Sequence, residues 1–176
     1  KHFGLIGGLG VGATVIYYEA ITAACAARGV VPRMTIAHAH APTALAHVTA
    51  GQIDDMAGYL AAFIREIAAA GAAFAAIPPI TPHICRRELR ALVDLPLIDI
   101  LDVTAAQLRA RNLSRVALFG TRFTIDTALF GALEAFEVVR PQDAEVGEIH
   151  RIYLELATKG RCAAEDQERL RQIASD

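Results

Sequence analysis

Three short segments carry the residue types that small-molecule chemistry uses. The first, Gly7-Gly8-Leu9-Gly10-Val11-Gly12-Ala13-Thr14, follows an apolar run and opens a helical pattern. Gly7 and Gly12 have the spacing of a phosphate-binding G-x-x-x-x-G-K-S/T loop, but Ala13 stands where that loop needs its lysine, which argues against a nucleoside-triphosphate site. Gly8, Gly10 and Ala13 also fit G-x-G-x-x-G/A, yet the next apolar run ends Ile36-Ala37-His38-Ala39-His40, with no acid for a ribose hydroxyl. A nicotinamide-linked oxidoreductase is disfavoured on that ground. What remains is a tight strand-to-helix turn. Its backbone, free of Cβ atoms, lets a small carboxylate approach the unpaired N–H groups of a helix start.

The second segment is Ile77-Pro78-Pro79-Ile80-Thr81-Pro82-His83-Ile84-Cys85. Thr81 before Pro82 predicts an N-cap followed by proline at the first helical position. His83 and Cys85 then fall in the first turn, where the helix dipole favours a thiolate, and they are the candidates for acid–base work. Each also has a structural explanation, the cysteine as a small buried hydrophobe and the histidine as a hydrogen-bonded core residue. The third segment is Phe119-Gly120-Thr121-Arg122-Phe123-Thr124-Ile125-Asp126. Here Thr124 is the expected cap, with Asp126 in the first turn, and Thr121 is left to donate to a ligand. His38, His40 and His47 lie close in sequence but lack a ligand spacing or a matching cysteine or acid. Solvated or core roles are expected for them, and no metal site.

These loops need strands to hold them. Residues 3–7, 34–39, 74–78, 97–100, 116–120 and 136–139 are short runs, mostly apolar on both faces, as buried parallel strands are. Between them Ile53, Met56, Leu60, Phe63, Ile64 and Ile67 recur at helical spacing, as do Val146, Ile149, Ile152, Tyr153 and Leu156. The alternation predicts an α/β fold of parallel sheet with right-handed crossovers. A shift of 113 residues lays Gly7 over Gly120 and Thr14 over Thr127, so two strand-Gly-loop-helix units begin two lobes. The boundaries expected are an N-terminal lobe at 1–105 and a partial second lobe at 106–176. With only two strands, the second lobe reads as incomplete. A further segment or a partner chain is expected to complete it, and a helix at 164–174 is expected to leave Leu170 and Ile173 exposed.

Composition narrows the field. Seventeen Lys and Arg against nineteen Asp and Glu give a net charge of −2, and the basic residues are scattered, so nucleic acid is not an expected partner. The stretch 67–85 lacks charge but contains Gly71, three prolines and His83, and reads as helix end, strand and loop rather than a membrane span. Three cysteines without a C-x-x-C pair point to the reducing cytosol. The opening Lys1-His2 leads straight into a strand-like run broken by Gly7 and Gly8, and no signal peptide is expected.

In order and spacing the chain resembles the aspartate/glutamate racemase family of cofactor-independent isomerases. The resemblance rests on Gly7-Gly8-Leu9-Gly10, Thr81-Pro82-His83, the run from Pro96 to Ile100, Phe119-Gly120-Thr121 with Thr124, and Lys159-Gly160. It implies two pseudo-symmetric lobes of parallel sheet flanked by helices, a homodimer, no cofactor, and a small carboxylate substrate such as aspartate or glutamate held between the lobes. It also implies substrate-binding positions at Gly8, Gly10, Thr81, Thr121, Thr124 and Lys159. The family moves the α-proton with two cysteines, for which a thiol suits because its surroundings can shift its pKa toward neutrality. The first lies in a Cys-Asn-Thr-Ala-His pattern; here Pro79 takes the cysteine position and Ile80 the asparagine. The second lies in a Gly-Cys-Thr-Glu pattern that the sequence ends before reaching, and the arginine of family aspartate racemases has no match near 41–47. The expectation is therefore a cytoplasmic racemase-like isomerase, or alternatively a non-catalytic or chemically diverged small-carboxylate binding protein of the same fold.

Overall fold

The computed structural model describes residues 1–175, apart from the side chains of Thr158 and Lys159. It contains six strands: β1 (His2–Gly7), β2 (Arg33–His38), β3 (Phe74–Ala76), β4 (Leu97–Ile98), β5 (Arg115–Ala117) and β6 (Glu137–Val139). Eight α-helices accompany them: α1 (Val11–Ala26), α2 (Ala41–Thr49), α3 (Ile53–Ala69), α4 (Arg86–Leu92), α5 (Ile100–Ala110), α6 (Arg122–Asp126), α7 (Asp143–Lys159) and α8 (Ala164–Ser175). The six expected runs all become strands, each near its expected place. Those after β2 are shorter than the apolar runs, because their ends turn into loops at Pro78, Asp99 and Gly120.

The chain divides into two compact units, residues 1–100 and 101–176. In the first, all strands are parallel and stand in the order β2-β1-β3-β4. β1 is therefore central: Leu5 and Ile6 are fully buried, as a strand covered on both faces requires. The core is built mainly by α3. Asp54 and Asp55 complement the positive end of its dipole, while Met56, Leu60, Ile64 and Ile67 form the buried stripe against the sheet. Burial of each such side chain stabilises by roughly 1.5–3 kcal/mol. By contrast α1 buries none of its residues.

The second unit has a two-stranded parallel sheet, β5 with β6, in register Val116 with Val138. A sheet this small cannot make a core, and the helices make one instead. Ile125, Val146, Ile149 and Ile173 are buried together, with Leu118 and Leu170 packed against them. The expected exposure of Leu170 and Ile173 is thus overturned, since Ile173 is 7% exposed and Leu170 half-buried. The physical reason is that α8 lays its apolar positions on α7 rather than on the sheet. Arg169 to Glu148 at 2.6 Å and Arg151 to Asp166 at 2.7 Å tie the two helices along their polar margin.

Candidate functional site

In the first unit the strand order reverses at β1: the chain moves from β1 outward to β2, then returns to lay β3 on the other side. The carboxyl ends of β1 and β3 therefore diverge around a switch point, the place where open parallel sheets hold ligands. Three loops meet there. Gly8 has φ +83°, and a Cβ on it would overlap the Ala39 carbonyl oxygen and stand 2.8 Å from His38 Nε2. A Cβ on Gly10 would stand 3.3 Å from Pro79 Cγ. The glycine loop after β1 is thus packed between the end of β2 on one side and the proline loop after β3 on the other. Glycine is required at position 8 both by its backbone and by its neighbours.

Thr14 fastens this loop from inside α1. Its hydroxyl accepts from the Gly8 N–H at 3.3 Å and donates to the Gly10 carbonyl at 3.1 Å. Gly10 is the N-cap of α1 and has no side chain to cap with, so the first N–H groups of a sixteen-residue helix open toward the loop. They make a positive, donor-rich wall suited to a carboxylate.

The segment after β3 differs in detail from its expected form. Thr81–Cys85 is a 3₁₀ turn that leads into α4, and Ile80, not Thr81, precedes it as the cap. Thr81 is already helical, and its half-buried hydroxyl makes no hydrogen bond to any described residue, which leaves it able to serve a ligand. His83 and Cys85 point inward. His83 is 5% exposed; its Nε2 donates to the Ile77 carbonyl at 3.1 Å, while Nδ1 lies 3.5 Å from Asp99 Oδ1. Asp99, itself buried at the end of β4, is held by Arg90 at 2.9 Å and faces Arg86 at 3.6 Å. Burial pushes the His83 pKa below its ordinary value, against the opposing pull of the Ile77 carbonyl and Asp99. The Cys85 side chain is fully buried and donates to the Pro82 carbonyl at 3.2 Å. Burial pushes its thiol up to about 12, so the thiol stays protonated at neutral pH. Cys85 both ends the 3₁₀ turn and is the N-cap of the seven-residue α4, but the expected lowering of its pKa is overturned because burial dominates.

In the second unit, Thr121 is the cap of α6 and Thr124 is not: the Thr124 N–H donates to Thr121 Oγ1 at 3.2 Å. Thr124 is buried one turn in, its hydroxyl 2.8 Å from that of Thr121, and Asp126 ends the helix rather than opening it. Both threonines have the right chemistry to cap at this spacing, and the sequence alone does not separate them. With Thr124 donating, the Thr121 hydroxyl proton remains for a ligand. Lys159 closes α7 in sequence, and its side chain lies outside the described residues.

Two other openings lie in the first unit. A cavity of about 270 Å³ lies near the amino ends of β1, β2 and β3, walled by Phe3, Ile21, Met34 and Phe74 with Lys1 and Arg33 also on its lining. A void of about 10 Å³ beside His83 and Asp99 holds no more than a water. Among the described residues no group of histidines, cysteines and acids could hold a metal ion, and no helix is long and apolar enough to cross a membrane.

A parallel sheet with a glycine loop at its switch point defines the class of open α/β proteins that hold a small ligand beyond the strand ends. Within that class, the chain belongs to the Asp/Glu/Hydantoin racemase family, whose sequence model matches residues 6–176. It is similar to the solved structure of a proposed Asp/Glu racemase from Yersinia pestis, with 25% identity and a TM-score of 0.85, covering 98% of this chain and 78% of that one. An aspartate racemase homologue from Pyrococcus horikoshii OT3 has 27% identity and a TM-score of 0.71, covering 92% and 73%. The fold is also that of Picrophilus torridus aspartate racemase, at 20% identity and a TM-score of 0.75, covering 99% and 75%. No curated protein sequence matches the chain.

Proposed function

We propose that the chain acts as a racemase-like isomerase on a small amino acid or dicarboxylic acid such as aspartate or glutamate, moving the proton at the α-carbon without a cofactor. The observation that carries this reading is the convergence of Gly8, Gly10 and Pro79 at the switch point of a racemase-family sheet. There the open N–H groups of α1 and the Thr81 hydroxyl supply donors for a carboxylate. The binding positions proposed are Gly8, Gly10 and Thr81 in the first unit and Thr121, Thr124 and Lys159 in the second. A cytoplasmic homodimer is part of the same proposal, the compartment resting on three free cysteines and the dimer on the family resemblance.

Within this reading His83 and Cys85 are structural. His83 ties the strand end before the proline loop to Asp99, and Cys85 packs beneath it with its proton held by burial. Pro79, in the position of the family's first cysteine, exchanges no proton, so the base and acid of the proposed transfer lie outside these three residues. The test is α-proton exchange of L- and D-aspartate and glutamate in deuterated water, followed by proton NMR. Loss of the α-proton signal supports the isomerase. Retained signal with saturable binding would overturn the catalytic reading in favour of a binding protein.

A further inference from the structure

The two faces of the four-stranded sheet are covered unequally. Strand alternation turns Gly4 toward α3, where a Cβ on it would overlap Ile67, and turns Phe3, Leu5 and Gly7 toward α1, where a Cβ on Gly7 would stand 3.1 Å from Thr14. On the α3 side Met56, Leu60, Ile64 and Ile67 are closed off from solvent, each at most 1% exposed. On the other side none of the residues of α1 is buried, and Ile98 is 44% exposed. A parallel sheet is ordinarily covered on both faces. Here part of one face opens into the cavity of about 270 Å³ at the amino ends of the strands.

The floor of that cavity is a row across three strands. Met34 and Phe74 flank Phe3 in register, and the Phe3 and Phe74 rings lie 5.2 Å apart at 38°. Ile98 extends the floor on β4, while Ile21 and Cys25, one helical turn apart on α1, form a wall. Lys1 and Arg33 stand on the lining at the amino edge. Both are exposed, and neither side chain has a hydrogen bond or ion pair to any described residue. Their long stems can lie along apolar surface while the charge stays at the mouth. An apolar chamber with two unpaired cations on its rim complements a molecule with an apolar body and one negative head. A dry apolar cavity of about 150 Å³ takes benzene, so this one has room for an aromatic ring with a short arm.

We infer that this cavity is a second ligand site, at the opposite end of the sheet from the switch point, for a monocarboxylic acid with an apolar tail about the size of one aromatic ring. The tail lies on Met34, Phe3 and Phe74 against Ile21 and Cys25, and the carboxylate meets Arg33 and Lys1 at the mouth. The site stands independently of the isomerase reading, since aspartate has no apolar tail to fill it.

The test uses 3-phenylpropionate, with 3-phenylpropan-1-ol as its uncharged counterpart and succinate as an acid without an apolar tail. The chain has two methionines, and they lie on opposite faces of the sheet, Met34 in the cavity floor and Met56 on α3. With methyl-labelled methionine, 3-phenylpropionate should move the Met34 signal saturably and leave Met56 still, Met34→Leu serving to assign the pair. Succinate should move neither. The alcohol should bind about two- to fivefold more weakly than the acid, the scale of an exposed ion pair. Arg33→Gln should at least halve that ratio and leave the affinity for the alcohol unchanged. Cys25→Phe, which fills the chamber, should weaken both ligands tenfold or more. Equal binding of acid and alcohol by the wild type overturns the proposal, as does an Arg33→Gln variant that weakens both alike. Should Cys25→Phe not fold, the wild-type methionine signals decide. A Met34 signal that stays still with 3-phenylpropionate overturns the site, and a dimer in sedimentation would then assign this face to a second copy of the chain.

Discussion

Replacing Gly8 by alanine tests the packing of the switch point, and two other glycines calibrate it. Gly8 has φ +83°, and its new Cβ would meet the Ala39 carbonyl oxygen, which belongs to a backbone pinned to Gly7. The His38 ring can turn aside, but that carbonyl cannot. Left-handed strain contributes roughly 1–2 kcal/mol, and the forced overlap adds about 1–3 kcal/mol. Gly29 has φ +65° with nothing within 4 Å, so Gly29→Ala isolates the strain and should cost about 1 kcal/mol. Gly58 lies inside α3 with open space around it and no positive φ, so Gly58→Ala should stabilise, by about 0.5–1 kcal/mol. Urea unfolding followed by circular dichroism ranks the three. At a slope of about 2 kcal/mol per molar urea, a 3 kcal/mol loss moves the midpoint by about 1.5 M. Gly8→Ala unfolding at the same urea concentration as Gly29→Ala would refute the claim that the loops after β1 and β2 are packed together.

Ile173→Ala, which opens a cavity under α8, should destabilise by about 2–5 kcal/mol, measured by the same melts; a cost below about 0.5 kcal/mol would mean that α8 is not docked on α7. Thr121→Ala should cost about 1 kcal/mol as a lost cap, and a smaller loss than Thr124→Val would reverse the capping assignment. Cys85→Ser should leave α-proton exchange unchanged, since a thiol pushed up to about 12 is not an acid–base group at neutral pH, whereas Pro79→Cys should raise it; a collapse of exchange in Cys85→Ser defeats that reasoning. His83 has a folded-state pKa below its unfolded value, so the unfolded chain binds the extra proton first and stability falls as pH drops below about 6.5. In His83→Asn that part of the acid sensitivity should vanish, and an unchanged pH profile of the melting midpoint would contradict the sign.

The strands were legible because each is an apolar run bounded by glycine, proline or charge. The stripe of α3 was legible because six residues repeat at one helical period. The switch-point site was legible only in part. Gly8 and Gly10 announce a tight turn, but that Gly8 faces His38 and Gly10 faces Pro79 depends on strand order, which no local pattern encodes. The caps failed for a different reason. Thr121 and Thr124 stand three residues apart with the same hydroxyl, and only the start of α6 decides which of them caps. Burial of Ile173 was missed because counting strands assumes that a sheet must supply the core, whereas here helices supply it.

The central claim is that a small carboxylate is held where the loops after β1, β2 and β3 converge. Titration of the isotope-labelled chain with aspartate, read by amide NMR, tests it most directly. Saturable shifts are expected at the amides of Gly8, Gly10 and residues 11–14, with the amides of α8 unmoved. Shifts confined to the residues around the 270 Å³ cavity, at Phe3, Ile21 and Met34, would place the ligand at the opposite end of the sheet and contradict it.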